Sequence, residues 1–219
     1  MVDSDGNYYK NPRPAQRYKK RLKLLHQAVS RSVKGTKGRE KAKKKLARLY
    51  EHIHNVREDF LHKLSTQIVR ENQTICLEDL DVAGMLRKTK PEDRIEHRWE
   101  EKVRHRNISD CGFYSFVQKL TYKAEWYGRL LKKVSRWYPS SQLCSVCGYR
   151  NKDLTLADRT WICPICGAVH DRDENSATNI HNEGTNPSWN RGRAVRPGVR
   201  PVEDGLLVGT ETPTLEGRG

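Results

Sequence analysis

Apolar side chains are scarce in this 219-residue chain: phenylalanine occurs three times, aromatic residues make up 8% and hydrophobic residues 35%. A core drawn from so little can be only modest for the length. Long apolar runs are missing as well. No stretch approaches the roughly 20 residues that a spanning helix needs, and the mean hydropathy is -0.89, which excludes an integral helical membrane protein. Met1 to Lys10 contains no apolar segment of the kind that directs secretion, so a cytoplasmic protein is expected. Acidic residues are also outnumbered, 27 against 42 lysines and arginines, for a formal net charge of +15. That excess points toward a polyanionic partner, most simply nucleic acid.

The charge is unevenly spread. Residues 1–70 hold 19 Lys/Arg and 6 Asp/Glu, a net of +13, whereas residues 181–219 hold five of each. The basic segment reads as two helices. Tyr18, Leu22, Leu25, Val29 and Val33 recur at spacings of three and four, as do Leu46, Leu49, Ile53, Phe60, Leu64 and Ile68. Lys34 to Gly38 is a glycine-punctuated turn between them, and Pro12 and Pro14 mark the entry to the first helix. The expected product is an antiparallel hairpin with one apolar seam. Its exterior carries Arg17, Lys19, Lys20, Arg21, Lys41, Lys43, Lys44 and Lys45. A lysine-rich face can simply be solvated, but acidic partners are too few here for a lattice of i,i+4 pairs. Phosphate-backbone binding is the reading preferred.

Beyond the hairpin, Ile75-Cys76-Leu77 is a short apolar run closed by Glu78, Asp79, Leu80 and Asp81. It reads as a buried strand with carboxylates at its C-terminal end, where open α/β sheets place ligands. Residues 87–107 are of mixed charge with Pro91, and are expected to be a loop or mobile helix. Phe113, Phe116, Val117, Leu120 and Ala124 then define an amphipathic helix with Asp110 as its expected cap. Leu130 to Tyr138 reads as a second strand ended by Pro139. From Gly184 onward glycine, proline and threonine accumulate without periodicity, the pattern of a disordered tail.

Four of the six cysteines form two pairs, Cys144-x-x-Cys147 and Cys163-x-x-Cys166, with 15 residues between the pairs. Two such knuckles supply the four sulfurs of a closed tetrahedral Zn²⁺ site, and Gly148 and Gly167 follow where each chain must turn sharply. A pair of disulfides is the rival, but it belongs with secretion, for which there is no signal. A closed four-cysteine site is structural, so the zinc itself does no chemistry. Cys76 and Cys111 read as buried thiols.

Directly after the second knuckle comes His170-Asp171-Arg172-Asp173-Glu174-Asn175. This can be no more than a helix start, with Asp171 or Asp173 as the cap. A carboxylate at that start, facing Glu78 at its strand end, can also help hold Mg²⁺ for phosphodiester cleavage. Glu78 and Asp173 are the candidates, with Asp171 the weaker third.

The order of these parts is informative. A basic hairpin is followed by Ile75-Cys-Leu-Glu-Asp-Leu-Asp-Val-Ala-Gly-Met85, then Ser109-Asp-Cys-Gly-Phe-Tyr114 and Tyr122-Lys-Ala-Glu-Trp-Tyr-Gly128. Pro139-Ser-Ser-Gln-Leu-Cys-Ser-Val-Cys-Gly148, Asp158-Arg-Thr-Trp-Ile-Cys-Pro-Ile-Cys-Gly167 and Asp171-Arg-Asp-Glu-Asn-Ser-Ala-Thr-Asn-Ile180 complete the series. From about Asp5 to Asn182 the chain closely resembles the C-terminal part of the OrfB/TnpB family of insertion-sequence proteins. These were long described as transposases and are related to the RNA-guided nucleases of type V CRISPR systems.

The resemblance implies an α/β fold: a partial RuvC/RNase H-like domain with a basic helical hairpin and an inserted four-cysteine zinc ribbon. The implied organisation is a partial RuvC-like domain over 1–138 with the hairpin at about 13–70. The ribbon would cover 139–169, the final RuvC-like motif and helix 170–183, and the disordered tail 184–219. By motif, Glu78 matches the family's second catalytic carboxylate, Asp173 its third, and Cys144, Cys147, Cys163 and Cys166 its zinc ligands. Implied partners are DNA and a guide-type RNA, and the implied activity is Mg²⁺-dependent DNA cleavage. The family's nucleic-acid-recognition region and its first catalytic strand, with a Gly-Ile-Asp-x-Gly-type motif, have no counterpart in this sequence. Asp3 and Asp5 do not replace that Asp, since no apolar strand precedes them. Three expectations follow from that gap. The chain is a nucleic-acid-binding fragment inactive alone, the catalytic half of a nuclease completed by a separate N-terminal chain, or a repurposed non-catalytic zinc-ribbon regulator. The first is preferred. In each case the sheet would be open on an apolar edge.

Overall fold

The computed structural model describes residues 1–87, 98–155 and 157–186. Pro14 opens a short helix α1 (Pro14–Arg17), where its fixed φ suits the first helical position. Helices α2 (Lys19–Arg31) and α3 (Lys37–Glu71) then form the expected hairpin. Leu22, Leu25 and Val29 are half-buried on its seam, and Leu49 and Ile53 of α3 are buried. Val33, expected on that seam, lies past the end of α2 and is exposed. The turn uses Gly35, at φ 84 in the left-handed region that favours glycine, while Gly38 falls inside α3. Arg39 reaches back with Nη1 to the carbonyls of Val29 (3.0 Å) and Ser32 (2.7 Å), satisfying acceptors that the end of α2 leaves unpaired. Two tyrosine–histidine hydrogen bonds stitch the hairpin, Tyr18 Oη to His52 Nε2 at 2.9 Å and His26 Nε2 to Tyr50 Oη at 2.8 Å.

Strand β1 (Thr74–Glu78) follows α3 at once. After α4 (Val82–Met85), α5 (Arg98–Cys111) and α6 (Phe113–Trp126), β2 (Leu130–Val134) returns parallel to β1, with Thr74 opposite Leu130 and Glu78 opposite Val134. Within the mixed-charge stretch at 87–107, the chain is helical from Arg98, and residues 88–97 lie outside the described part. The second strand was expected to reach Tyr138 and stops at Val134, because Tyr138 N donates to Ser135 O (3.0 Å) and closes a turn there.

Parallel strands are normally covered on both faces, and β1 is. Leu61, Leu64 and Val69 of α3 meet Ile75 of β1 and Phe116 and Leu120 of α6 in the main core cluster, with Leu77 and Tyr9 packed against it. Buried lysines are made tolerable there by partners. Lys119 pairs with Glu58, and Lys123 donates to His62 O (2.7 Å), Ser65 Oγ (2.8 Å) and Thr66 Oγ1 (2.7 Å). On the other side α7 (Arg172–Thr185) packs along both strands. A side chain at Gly184 would collide with Cys76 Sγ, so glycine is needed for that approach. Helix α7 therefore runs two residues past the expected boundary at 183, and the remainder of the expected tail, 187–219, lies outside the described residues.

Among the described residues no strand pairs with the second edge of β1. Residues Met1–Tyr9 lie near it instead, as a hairpin bridging Val2 and Tyr8 through Gly6 at φ 80. With Ile75, Cys76 and Leu77 they line a cavity of about 270 Å³. Asp3 is used up within this hairpin, accepting from Asp5 N (3.0 Å), Asn7 N (2.8 Å) and Tyr9 Oη (2.9 Å). No helix among the described residues is long and apolar enough to cross a membrane.

Asp110 does not cap α6. Gly112, at φ 65, occupies that position, and Asp110 is buried at the end of α5. Its carboxylate accepts from the first turn of α1, Ala15 N (3.2 Å) and Gln16 N (3.3 Å), and pairs with Arg57 of α3 at 2.9 Å. One buried carboxylate thus ties three helices together. Asp110→Ala is expected to cost about 2–3 kcal/mol, since it removes a cap and strands a partly buried guanidinium. Urea unfolding should show a lower midpoint with an unchanged slope.

Candidate functional site

The ribbon is built from two copies of one local pattern. In the first knuckle Cys144 N donates to Tyr149 O (2.8 Å) and Gly148 N to Cys144 O (2.9 Å); in the second, Cys163 N donates to Ala168 O (2.8 Å) and Gly167 N to Cys163 O (2.9 Å). Gly148 and Gly167 sit at φ 75 and 72, where a side chain would be strained, so the glycines mark the turns as expected. The second knuckle is held by an antiparallel pair, β3 (Thr160–Ile162) and β4 (Val169–Asp171).

The four sulfurs converge, all lying within 4.8 Å of one another. Cys144 Sγ and Cys166 Sγ are 3.6 Å apart, and Cys147 Sγ and Cys163 Sγ 3.5 Å. A disulfide would need about 2.0 Å. A tetrahedron of thiolates around a first-row metal has an edge of about 3.8 Å, from a metal–sulfur bond of about 2.3 Å. The spacing fits the tetrahedral site and not the disulfides. Burial opposes ionisation of Cys163, yet the backbone amides of Cys166 and Ile165 prevail and lower its thiol, while the thiols of Cys147 and Cys166 are raised. Behind the cluster the buried His170 places Nε2 3.1 Å from Cys144 Sγ and packs its ring on Trp161, with centroids 4.7 Å apart. That is the outer support a ligand sulfur needs, and spacing arguments built on the cysteines alone passed over it. Cys76 and Cys111 are half-buried and do not belong to this group.

The ribbon is fastened to α7 by two asparagines one helical turn apart. Asn175 Nδ2 donates to Leu143 O (2.6 Å) while its Oδ1 accepts from Ser145 N (3.0 Å). Asn179 Nδ2 donates to Leu143 O (2.7 Å) and Ser140 O (2.8 Å). Both are buried. The first knuckle therefore cannot shift without moving the helix that carries Asp173.

The roles of the carboxylates at the start of α7 separate here. Asp171 is the cap, its Oδ1 accepting from Asp173 N (2.9 Å) and Glu174 N (3.1 Å). Asp173 is exposed, and its carboxylate has no hydrogen bond or ion pair among the described residues. Glu174 Oε1 accepts from Tyr8 Oη at 2.9 Å, a bond that pushes the tyrosine up to about 12. Glu78 stands at the C-terminal end of β1, on the strand along which α7 packs. The residue is exposed, and partial burial of its carboxyl pushes the group up from its ordinary value. Beyond it Arg136 pairs with Asp79 at 2.9 Å and with Asp81 at 3.5 Å, so those two acids are partnered. Among the described residues, the four cysteines are the group of three or more acidic, histidine or cysteine side chains arranged to hold a metal.

All eight basic residues singled out on the hairpin, Arg17, Lys19, Lys20, Arg21, Lys41, Lys43, Lys44 and Lys45, are exposed, and none forms an ion pair among the described residues. Two measurements test these assignments. Cobalt(II) added to the reduced protein should give a thiolate charge-transfer band that saturates at one metal per chain and vanishes in Cys163→Ser. Glu78→Gln should raise the melting temperature at pH 7. A carboxyl whose folded pKa is raised makes stability fall as pH rises from the unfolded value, about 4.3, through the folded one. The gain should therefore vanish below about pH 4.

Residues 1–89 match the family model described as "Probable transposase", OrfB_IS605, and residues 113–180 match the Cas12f1-like TNB domain. A Streptomyces pristinaespiralis protein provisionally named as an RNA-guided DNA endonuclease is 41% identical over 97% of this chain and 48% of its own length. The Escherichia coli protein InsQ, provisionally named in the same way, is 32% identical over 81% of this chain and 44% of its own length. The chain thus spans about half the length of the curated relatives it matches. A cryo-EM structure of a Cas12f1–sgRNA–target DNA complex overlaps 76% of this chain and 41% of that chain, at a TM-score of 0.48 and 20% identity.

Proposed function

The chain belongs to the OrfB/TnpB family of insertion-sequence proteins, and we propose from this that it is the nucleic-acid-binding and partial catalytic portion of an RNA-guided DNA endonuclease. The observation that carries the reading is that Glu78, at the C-terminal end of β1, and Asp173, at the start of the helix packed along that strand, are both exposed and without a cationic partner among the described residues. Carboxylates left without cationic partners in a chain with a strongly basic hairpin are suited to divalent cations and a phosphodiester, not to ion pairs within the fold.

In this reading the parts have separate tasks. The hairpin holds the phosphate backbone of DNA or guide-type RNA through Arg17, Lys19, Lys20, Arg21, Lys41, Lys43, Lys44 and Lys45. Cys144, Cys147, Cys163 and Cys166 hold a structural Zn²⁺, which stiffens the ribbon against α7 and takes no part in the reaction. Glu78 and Asp173 would be Mg²⁺ ligands, and bound Mg²⁺ would supply activation of water and stabilisation of the leaving oxygen. Asp171, engaged as a cap, is not assigned to the metal. Two carboxylates do not complete a two-metal site, so no cutting is assigned to them alone. The edge of β1 left unpaired among the described residues, and its adjoining cavity, favour completion by a further strand bearing another carboxylate.

The test combines this chain, guide RNA and a segment supplying that strand. Mg²⁺-dependent DNA cleavage is expected, and Glu78→Gln or Asp173→Asn should each abolish it. Binding should weaken steeply with salt, and a Lys41/Lys43/Lys44/Lys45→Gln variant should flatten the log–log slope by roughly 3 to 4. Cleavage unaffected by both carboxylate changes, or no cleavage from the completed assembly, would sink the nuclease reading.

A further inference from the structure

Three acids follow one another where β1 ends, Glu78, Asp79 and Asp81, and the last two are fully engaged. Asp79 Oδ2 meets Arg136 Nη2 at 2.9 Å, and its Oδ1 lies 4.0 Å from Lys133 Nζ. Asp81 Oδ1 accepts from Gly84 N at 2.8 Å, capping α4, while its Oδ2 lies 3.5 Å from Arg136 Nη1. A side chain at Gly84 would collide with that carboxylate, so glycine leaves it room to turn back onto the amide. One guanidinium thus spans both aspartates, and each of their four oxygens has a partner. Among the described residues no cation reaches Glu78. Strand alternation puts it on the face of Cys76, which α7 covers, and away from the face of Ile75 and Leu77. The three acids meet two cations, Lys133 and Arg136, and the charge left over is that of Glu78. The start of α7 repeats the pattern: Asp171 is engaged by helix amides and Glu174 by Tyr8 Oη, which leaves Asp173.

The backbone fixes Arg136 in this place. Asp79 N donates to Val134 O (2.9 Å), which carries the contact between the strands one residue further, and Tyr138 N to Ser135 O (3.0 Å) closes the turn. Ser140 then ties the turn to α7 through Ser176 Oγ at 2.8 Å. Divalent cations bind more tightly as more carboxylate oxygens converge on them. With Asp79 and Asp81 released, one short segment would offer a cation three acids and no reason to engage Asp173. We propose that Arg136 is a positioning residue: by neutralising Asp79 and Asp81 it confines a divalent cation at this end of the sheet to Glu78 and Asp173. The inference rests on the nuclease reading above and adds what keeps its cation between two separate elements.

The experiment titrates the zinc-loaded full chain with Mn²⁺ and follows the free ion by its electron paramagnetic resonance signal. Wild-type binding should weaken in Glu78→Gln and in Asp173→Asn. Arg136→Gln should bind Mn²⁺ roughly 2- to 30-fold more tightly, the range expected when two exposed ion pairs no longer compete for the carboxylates. Its binding should also become insensitive to Asp173→Asn. Arg136→Lys, which keeps the charge, should stay within about two-fold of wild type. The double variant Asp79→Asn/Asp81→Asn keeps Arg136 in place and should bind Mn²⁺ as wild type does, a readout that survives any folding defect in the arginine variant. Arg136→Gln that binds no more tightly than wild type, or still depends on Asp173, overturns the positioning role and leaves the nuclease reading standing. Weakened binding in the double aspartate variant does the same. Wild-type binding unmoved by both Glu78→Gln and Asp173→Asn overturns the positioning role and the metal assignment together.

Discussion

Five residues of parallel pairing between β1 and β2 hold the parts of this protein in relation to one another. A parallel pair cannot be closed by a tight turn, so the chain must cross over, and α5 and α6 lie in that crossover. The register puts Glu78 opposite Val134, so the strand that ends in an acid lies beside the one that leads into the Arg136–Trp137 turn and the ribbon. Burial on both faces follows. Helices α3 and α6 take the side of Ile75, while α7 takes the side of Cys76, close enough that position 184 has to be glycine.

From that pair two rigid bodies extend. The hairpin is an extension of α3, so the basic face and the core share one 35-residue helix. Its basic residues contribute little to folding, since they are exposed and unpaired, and their mutual repulsion is tolerated because the apolar seam and two tyrosine–histidine bonds hold the helices together. The ribbon has almost no apolar core beyond Trp161 and two of the cysteines. A structure that small gains rigidity from Asn175 and Asn179, which join it to α7, and a metal held by the four cysteines would add to it. Any strain at the sulfur cluster is transmitted to the helix bearing Asp173.

Stability and function pull apart at the carboxyl end of β1. Asp79 and Asp81 are partnered by Arg136, whereas Glu78, directly before them, is exposed and has no cationic partner among the described residues. Trp137 is the apolar counterpart of the same conflict: exposed where a folding argument alone would bury it. Positions that violate local rules within a few residues of each other are what a binding site leaves in an otherwise consistent fold.

The two hairpin helices, the first strand, the paired knuckles and the helix beginning at Asp171 were all legible in the amino-acid order. Each is specified by short-range periodicity, a glycine turn or a fixed cysteine spacing. What sequence could not yield were decisions among partners far apart in the chain. Asp110 resembles a cap for the next helix, but the amides of α1 and the guanidinium of Arg57, 53 or more residues away, compete for it and win. Asp171 and Asp173 were both open as the cap until the geometry of α7 gave that role to Asp171. The second strand ends at Val134 because the turn that follows is pinned by Asp79, Asp81 and α7. Local preferences cost and gain only fractions of a kcal/mol, so a buried charge or an unpaired edge, worth several times more, settles the choice once tertiary structure brings its competitors together.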